Sequence, residues 1–219
     1  MLSFDDVKND LTIKTYVTRA DDTLEEMGYT EHSFAHVLKV ASTAKYLLET
    51  LGYSPRELEL VQIAGYLHDI GNLVNREGHA HHGAILAFQL LTAMGADPDD
   101  IASVVTAIGN HDEGTAEAVT PLAAALILAD KTDVRRSRVR SVDVARFDIH
   151  DRVNYSVKKA TTKINEEKTA VNLFLTIDTD QFSTMDYFEI FLNRMLLCRQ
   201  AAKKLGLEFH IYVNGQLLA

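Results

Sequence analysis

Five stretches of the chain, residues 30–51, 55–74, 83–94, 98–110 and 121–133, repeat apolar side chains at helical spacing. A three-to-four-residue period puts those side chains on one face of an α-helix and does not fit the two-residue alternation of a strand. Start signals agree with the periodicity. Ser54-Pro55-Arg56-Glu57 sets an N-cap serine before a proline, with a glutamate three residues on, and Asp97-Pro98 and Thr120-Pro121 repeat the cap-then-proline order. Gly52 and Gly95 stand where a helix would stop. Successive amphipathic helices on short connections bury their faces by packing as a bundle.

Flanking segments complete a mostly α protein. Phe4–Arg19 reads as a further helix, 21–27 as a short one, and the charged segment 148–166 as a long surface helix. The pattern changes near residue 168. Ala170–Ile177 is strand-like, Thr184–Leu205 has helical spacing, and Glu208–Val213 alternates before Asn214-Gly215, a hairpin turn. The expected organisation is a helical domain over residues 1–165 and a small β-α-β-β appendage over 166–219. The strand Glu208–Val213 is expected to be an exposed edge, available to a second copy of the chain, hence a homodimer. Phe182, Tyr187, Phe188 and Phe191 form an aromatic stripe read as core, and Cys198 as a buried apolar residue.

Composition narrows the function classes. With 31 acidic against 22 basic residues the net charge is −9, which argues against nucleic-acid binding by bulk charge. The single cysteine excludes an internal disulfide framework and any cysteine-rich zinc site, and suits the cytoplasm. The first residues lack the pattern of a secretory signal, and no apolar run is long enough to span a membrane.

Seven of the nine histidines lie between His32 and His111. His36 falls in HSFAHVLKVA, His68-Asp69 in GYLHDIGN, His79 in GHAHHGA and His111 in IGNHDEG, while Asp130 ends the apolar run AAALILA. Polar side chains inside apolar helical runs need a partner or a cation, because burying them unpaired is costly. One histidine in such a place is ordinarily a satisfied core residue; the ordered set is what points to a metal. Neighbours on a helix diverge by about 100°, so His68 and Asp69 reach an ion only with ligands from other helices.

In this order and spacing the chain resembles the HD-domain metal-dependent phosphohydrolases, over roughly residues 30–135. His36 matches the first histidine of the family's opening helix, here HVLKVA. His68-Asp69 match the doublet that names the family, in the HDIG form, and Asp130 the final aspartate. His79 matches the extra histidine of the HxxxGA motif and His111 the histidine after the following helix; these two add the second metal site in binuclear members. The resemblance implies an HD-type helical bundle and six metal ligands: His36, His68, Asp69, His79, His111 and Asp130. It also implies one or two divalent ions, drawn from Mn, Fe, Ni, Zn or Mg, and hydrolysis of a phosphoester or phosphoanhydride of a nucleotide or related small phosphate by a metal-activated water.

Around that centre, His82 is an alternative to His79 or a substrate contact, and Asp69, Asp112 and Lys131 are the expected catalytic residues, Asp112 as general acid. Lys131, Arg135, Arg136, Arg138 and Arg140 put five cations into ten residues of an acidic chain. Lys131, Arg135 and Arg136 are expected to hold substrate phosphate. His32, His81, His150 and His210 are read as bystanders. The departures from the family also inform. The stretch His111-Asp112-Glu113-Gly114 has no following GYP, so cyclic-di-GMP hydrolysis is not expected, and Asn72 stands where many members carry lysine. Pattern for pattern, the small bacterial hydrolases of symmetrical dinucleoside polyphosphates are nearest, although their tail differs from ADKTDVRRSR. Two further readings stay open: a catalytically silent metal- and nucleotide-binding regulatory module, and a di-iron oxygenase-like member.

Overall fold

The computed structural model describes residues 1–114, 116–140, 149–179 and 184–218. Its helices, in order, are α1 (Phe4–Asn9), α2 (Leu11–Glu26), α3 (Phe34–Leu51), α4 (Pro55–Leu67), α5 (His79–Ala93), α6 (Pro98–Gly109), α7 (Pro121–Lys131), α8 (Ile149–Ser156) and α9 (Thr184–Lys204). Strands β1 (Val157–Ile164), β2 (Ala170–Ile177), β3 (Glu208–Val213) and β4 (Gln216–Leu217) form one sheet in that order. Among the described residues the fold is mostly α with a small C-terminal sheet, and no helix is long and apolar enough to cross a membrane.

The caps are those the sequence announces. Ser54 and Glu57 form a reciprocal capping box at α4, and Asp97 and Thr120 cap α6 and α7 ahead of their prolines. Gly52 ends α3 in the left-handed region at φ 86°. α7 is buried on every side from Leu122 to Ala129, the condition for an all-apolar helix, and packs against α3, α4, α6 and α9. α3 and α4 approach closely at Gly65, where a Cβ would lie 2.7 Å from the Cα of Ala41.

Three expectations need correction. The N-terminal helix breaks at Asp10 rather than after Arg19. The Asp10 carboxylate accepts from the Ile13 N–H at 2.9 Å, capping α2, which then runs unbroken to Glu26. Segment 148–166 is not one helix: it turns from α8 into β1 at Val157, and β1 pairs antiparallel with β2 across a turn in which Asn165 Oδ1 accepts from Thr169 and Ala170. The boundary at residue 165 therefore falls between two hydrogen-bonded strands. Finally, β3 is not a free edge. It lies parallel to β2 on one side and carries β4 across Tyr212 and Val213 on the other.

α9 is the crossover between β2 and β3. Tyr187, Phe191 and Cys198 are buried on it as expected, whereas Phe182 lies outside the described residues. Sheet and bundle share one apolar core. They also share polar contacts: Thr162 donates to Thr132 Oγ1 at 2.8 Å, and the Ile164 N–H donates to the Tyr46 hydroxyl.

Candidate metal centre

The histidines and aspartates reach one place from helix ends. His68 follows the last residue of α4, and Asp69 opens a tight 3₁₀ turn over Ile70–Leu73. The buried Asn72 side chain donates to the Asp69 carbonyl at 2.9 Å and to Asp69 Oδ1 at 3.0 Å, fixing the carboxylate. His79 is the first residue of α5, His111 follows α6, Asp130 lies in the last turn of α7, and His36 is in the first turn of α3.

Gly71 allows the 3₁₀ turn to sit on α5. A Cβ there would lie 2.0 Å from the His79 carbonyl oxygen and 2.4 Å from the Gly83 nitrogen. That contact sets His79 Nε2 3.6 Å from Asp69 Oδ1. At the centre, His36 Nε2 is 3.5 Å from Asp69 Oδ2 and 3.3 Å from Asp130 Oδ1, and His68 Nε2 is 3.1 Å and 3.6 Å from the same two oxygens.

Each imidazole is held through Nδ1. The Nδ1 atoms of His68, His79 and His111 meet the carbonyls of Gly65, Arg76 and Ile108 at 2.8, 3.1 and 2.6 Å, and His36 Nδ1 meets Asp133 Oδ2 at 2.9 Å. A proton on Nδ1 leaves Nε2 with its lone pair directed inward. Yet Nε2 of His36, His68 and His111 and Oδ2 of Asp69 are buried without a hydrogen-bond partner. Four unsatisfied polar atoms gathered at one buried point are a heavy desolvation cost that a cation removes. His36, His68 and Asp130 bring one ligand atom each within 4.8 Å of one another, as do His68, Asp69 and His111. The residues fit divalent metal; the nitrogen and oxygen donors suit a transition ion.

The electrostatics agree. Burial pushes the His68 imidazole down, but Asp69 and Asp130 outweigh it and raise it to about 10. Burial and Arg138 oppose a charge on His36, and Asp130, Asp133 and Asp69 overcome both. Burial raises the Asp69 and Asp130 carboxyls, yet both stay well below the usual range, Asp69 chiefly through His68 and Asp130 chiefly through Lys131. His111, by contrast, is pushed well down by burial and by the nearby His68 and Lys131. The centre is built to hold positive charge between carboxylates, which a divalent cation supplies in exchange for protons.

Asp133, which orients His36, also accepts from Arg135 Nε at 3.1 Å. Asp133→Asn keeps the shape and loses the charge. Metal affinity, read by titration against a competing chelator, is expected to fall about 10–100-fold, the usual cost of losing an outer-sphere carboxylate; unchanged affinity would exclude this role.

A cavity of about 100 Å³ opens beside Asp69, His79 and Asp130. Lys131 lines it, with Nζ 2.6 Å from Asp130 Oδ2 and 3.3 Å from Glu113 Oε2. Arg135 and Arg136 do not line it. Arg135 turns to Asp133, Glu31 and Ser137, and Arg136 to the Tyr155 carbonyl and Asp178. The arginines that do line it are Arg76, Arg138 and Arg194. The chain turns through a 3₁₀ segment at Arg136–Arg138 and sends only the last of that run inward, where Arg138 donates to the carbonyls of Glu31 and Asp133.

His82 is not among the lining residues, and Asp112 stands at the margin, with Oδ1 3.9 Å from His79 Nε2. His32 is a lining residue rather than a bystander; its ring meets His36 edge-on with centroids 5.5 Å apart. His81 is exposed, His210 bonds Asn172 and Glu208, and the His150 side chain lies outside the described residues.

A helical bundle that gathers imidazoles and carboxylates from several helix ends around one buried point is an α protein with a site able to hold metal. Residues 33–135 match the HD domain, which is typical of metal-dependent phosphohydrolases, so the chain carries an HD domain over that segment. An uncharacterized protein of Methanocaldococcus jannaschii is 28% identical over 165 residues, 65% of this chain and 63% of that protein. Ribonuclease Y of Alkaliphilus metalliredigens is 31% identical over 114 residues, 52% of this chain and 23% of that enzyme. The chain thus spans less than two thirds of either relative.

Proposed function

We propose that the chain is a metal-dependent phosphohydrolase acting in the cytoplasm on a phosphoester or phosphoanhydride of a nucleotide or related small phosphate. The observation that carries this is the set of unpartnered imidazole nitrogens and carboxylate oxygen at the centre, adjoining a cavity walled by Lys131 and three arginines. His36, His68, His111, Asp69 and Asp130 would hold one or two divalent ions, with His79 at the flank of Asp69. Such ions polarise a phosphoryl oxygen and lower the pKa of water when bound.

The chain's own groups supply the rest. Asn72 and the Nδ1 contacts fix ligand direction, Lys131 balances Asp130, and Arg76 and Arg138 present N–H groups to an anion. Asp112 lies where a carboxyl could pass a proton to a leaving oxygen at the cavity margin. The relative's name, ribonuclease Y, adds a phosphodiester polymer to the substrates worth testing. A net charge of −9 and so small a cavity favour a small molecule instead.

The test is turnover of an aryl phosphate, a nucleotide panel and an RNA oligomer by protein loaded with Mn²⁺, Fe²⁺, Ni²⁺, Zn²⁺ or Mg²⁺, with metal content measured alongside. Hydrolysis of a small phosphate supports the reading; a folded, metal-loaded chain that turns over nothing overturns it. A homodimer belongs to the same reading, and light scattering at the mass of one 24.4 kDa chain would count against it.

A further inference from the structure

α9 lies far along the chain from every residue of the metal centre, yet its Arg194 lines the same cavity as Asp69, His79 and Asp130. The helix is fixed there by Phe191 and Cys198, both fully buried, and it packs on α7. The Arg194 guanidinium lies over the Phe191 ring, 4.6 Å from its centroid, and is ion-paired through Nε with Glu113 Oε1. The other Glu113 oxygen faces Lys131, which in turn faces Asp130. A line of alternating charge, Asp130, Lys131, Glu113, Arg194, therefore runs from the ligand cluster to the C-terminal helix.

The cations of this cavity differ in what they can still do. Lys131 is 4% exposed and committed to two carboxylates. Arg138 is buried, with two N–H groups on backbone carbonyls. Arg76 leans toward Asn72 and His79. Arg194 is 25% exposed and, among the described residues, pairs with one carboxylate, which is itself shared. A guanidinium fork binds carboxylate and phosphate oxygens in the same bidentate geometry, so a phosphate can take the place of Glu113.

We propose that Arg194 is a substrate-binding residue supplied by the C-terminal unit, held in position by Glu113 until a terminal phosphate group replaces that carboxylate. This rests on the phosphohydrolase reading and sharpens its substrate class. A cavity of about 100 Å³, lined by Lys131 and three arginines alongside Asp69, Asp130 and Asp151, suits the end of a molecule, a phosphomonoester or the terminal phosphate of an anhydride, better than an internal diester with chain on both sides.

The experiment measures inorganic phosphate binding by calorimetry to the full chain loaded with Mn²⁺, with metal content determined for each variant. Arg194→Met is expected to retain metal and weaken phosphate by about tenfold or more, the loss of a charged hydrogen-bond pair. Arg194→Lys keeps charge without the fork and should fall between; if the methionine variant unfolds, the lysine variant carries the comparison. Glu113→Gln should bind phosphate more tightly than wild type, because it frees the guanidinium. Equal phosphate affinity in wild type and both Arg194 variants, with metal retained, overturns the proposal alone, as does metal-loaded wild type that binds no phosphate. A wild-type chain that retains none of Mn²⁺, Fe²⁺, Ni²⁺, Zn²⁺ or Mg²⁺ overturns the phosphohydrolase reading and this proposal with it.

Discussion

His68→Ala is expected to leave a folded chain with neither metal nor phosphatase turnover. His68 is the one imidazole common to both groups of residues able to hold an ion, and its Nε2 lies 3.1 Å from Asp69 Oδ2 and 3.6 Å from Asp130 Oδ1. Among the described residues no other imidazole belongs to both groups. His36 is tied to Asp133 through Nδ1, and His111 to the Ile108 carbonyl, so neither ring can turn to compensate. Loss of metal affinity should exceed the roughly 10–100-fold that removal of an outer-sphere partner costs. Elemental analysis after dialysis and kcat/KM on an aryl phosphate are the two readouts, with circular dichroism to verify the fold. Stoichiometric metal in the alanine variant would sink the ligand assignment.

Gly71→Ala is expected to damage stability and metal binding together. The added carbon would lie 2.0 Å from one backbone atom and 2.4 Å from another, in α5. Neither is the tip of a flexible side chain, so the 3₁₀ turn and the helix must separate. Overpacking in a tight interior costs typically about 1–3 kcal/mol, and two backbone collisions place this change at or above the upper end. For a chain of this size that corresponds to a fall in Tm on the order of 10 °C. Because Asp69 sits on one of the displaced pieces and His79 on the other, the same movement opens the 3.6 Å gap between them. Thermal unfolding and a metal titration would show both effects. A variant with wild-type Tm and affinity would mean that the backbone accommodates the methyl group without moving the site.

Much of this was readable from the chain, and the reason is locality. Periodicity, Ser54 with Glu57, Asp97-Pro98 and Thr120-Pro121 act within one turn, so α4, α6 and α7 start where those signals stand. The spacing of His36, His68, Asp69, His79, His111 and Asp130 carries the centre because each sits at a helix start or end that the same signals define. What was missed depends on distant partners. Val157–Ile164 carries three lysines, and only its pairing with Ala170–Ile177 makes it a strand. Arg135, Arg136 and Arg138 cannot be ranked from a run of like charges; the turn after Asp133 decides which one points inward. Arg194 resembles any solvated cation on an amphipathic helix until α9 is laid against α7. Arg76 carried a nearer clue, standing three residues before His79 and four after Asn72 in the loop that joins the two.

Much of the cavity's rim lies outside the segment that carries its floor. Asp69, Arg76, His79, Asp130 and Lys131 fall within residues 33–135, whereas Gly28, Tyr29, Thr30, His32, Arg138, Asp151, Asn154 and Arg194 lie outside that segment. Two chains alike over residues 33–135 alone can therefore differ in much of the cavity's rim and accept unrelated molecules. A molecule borrowed from a relative would have to be justified by the flanks, residue by residue, before the centre is consulted at all.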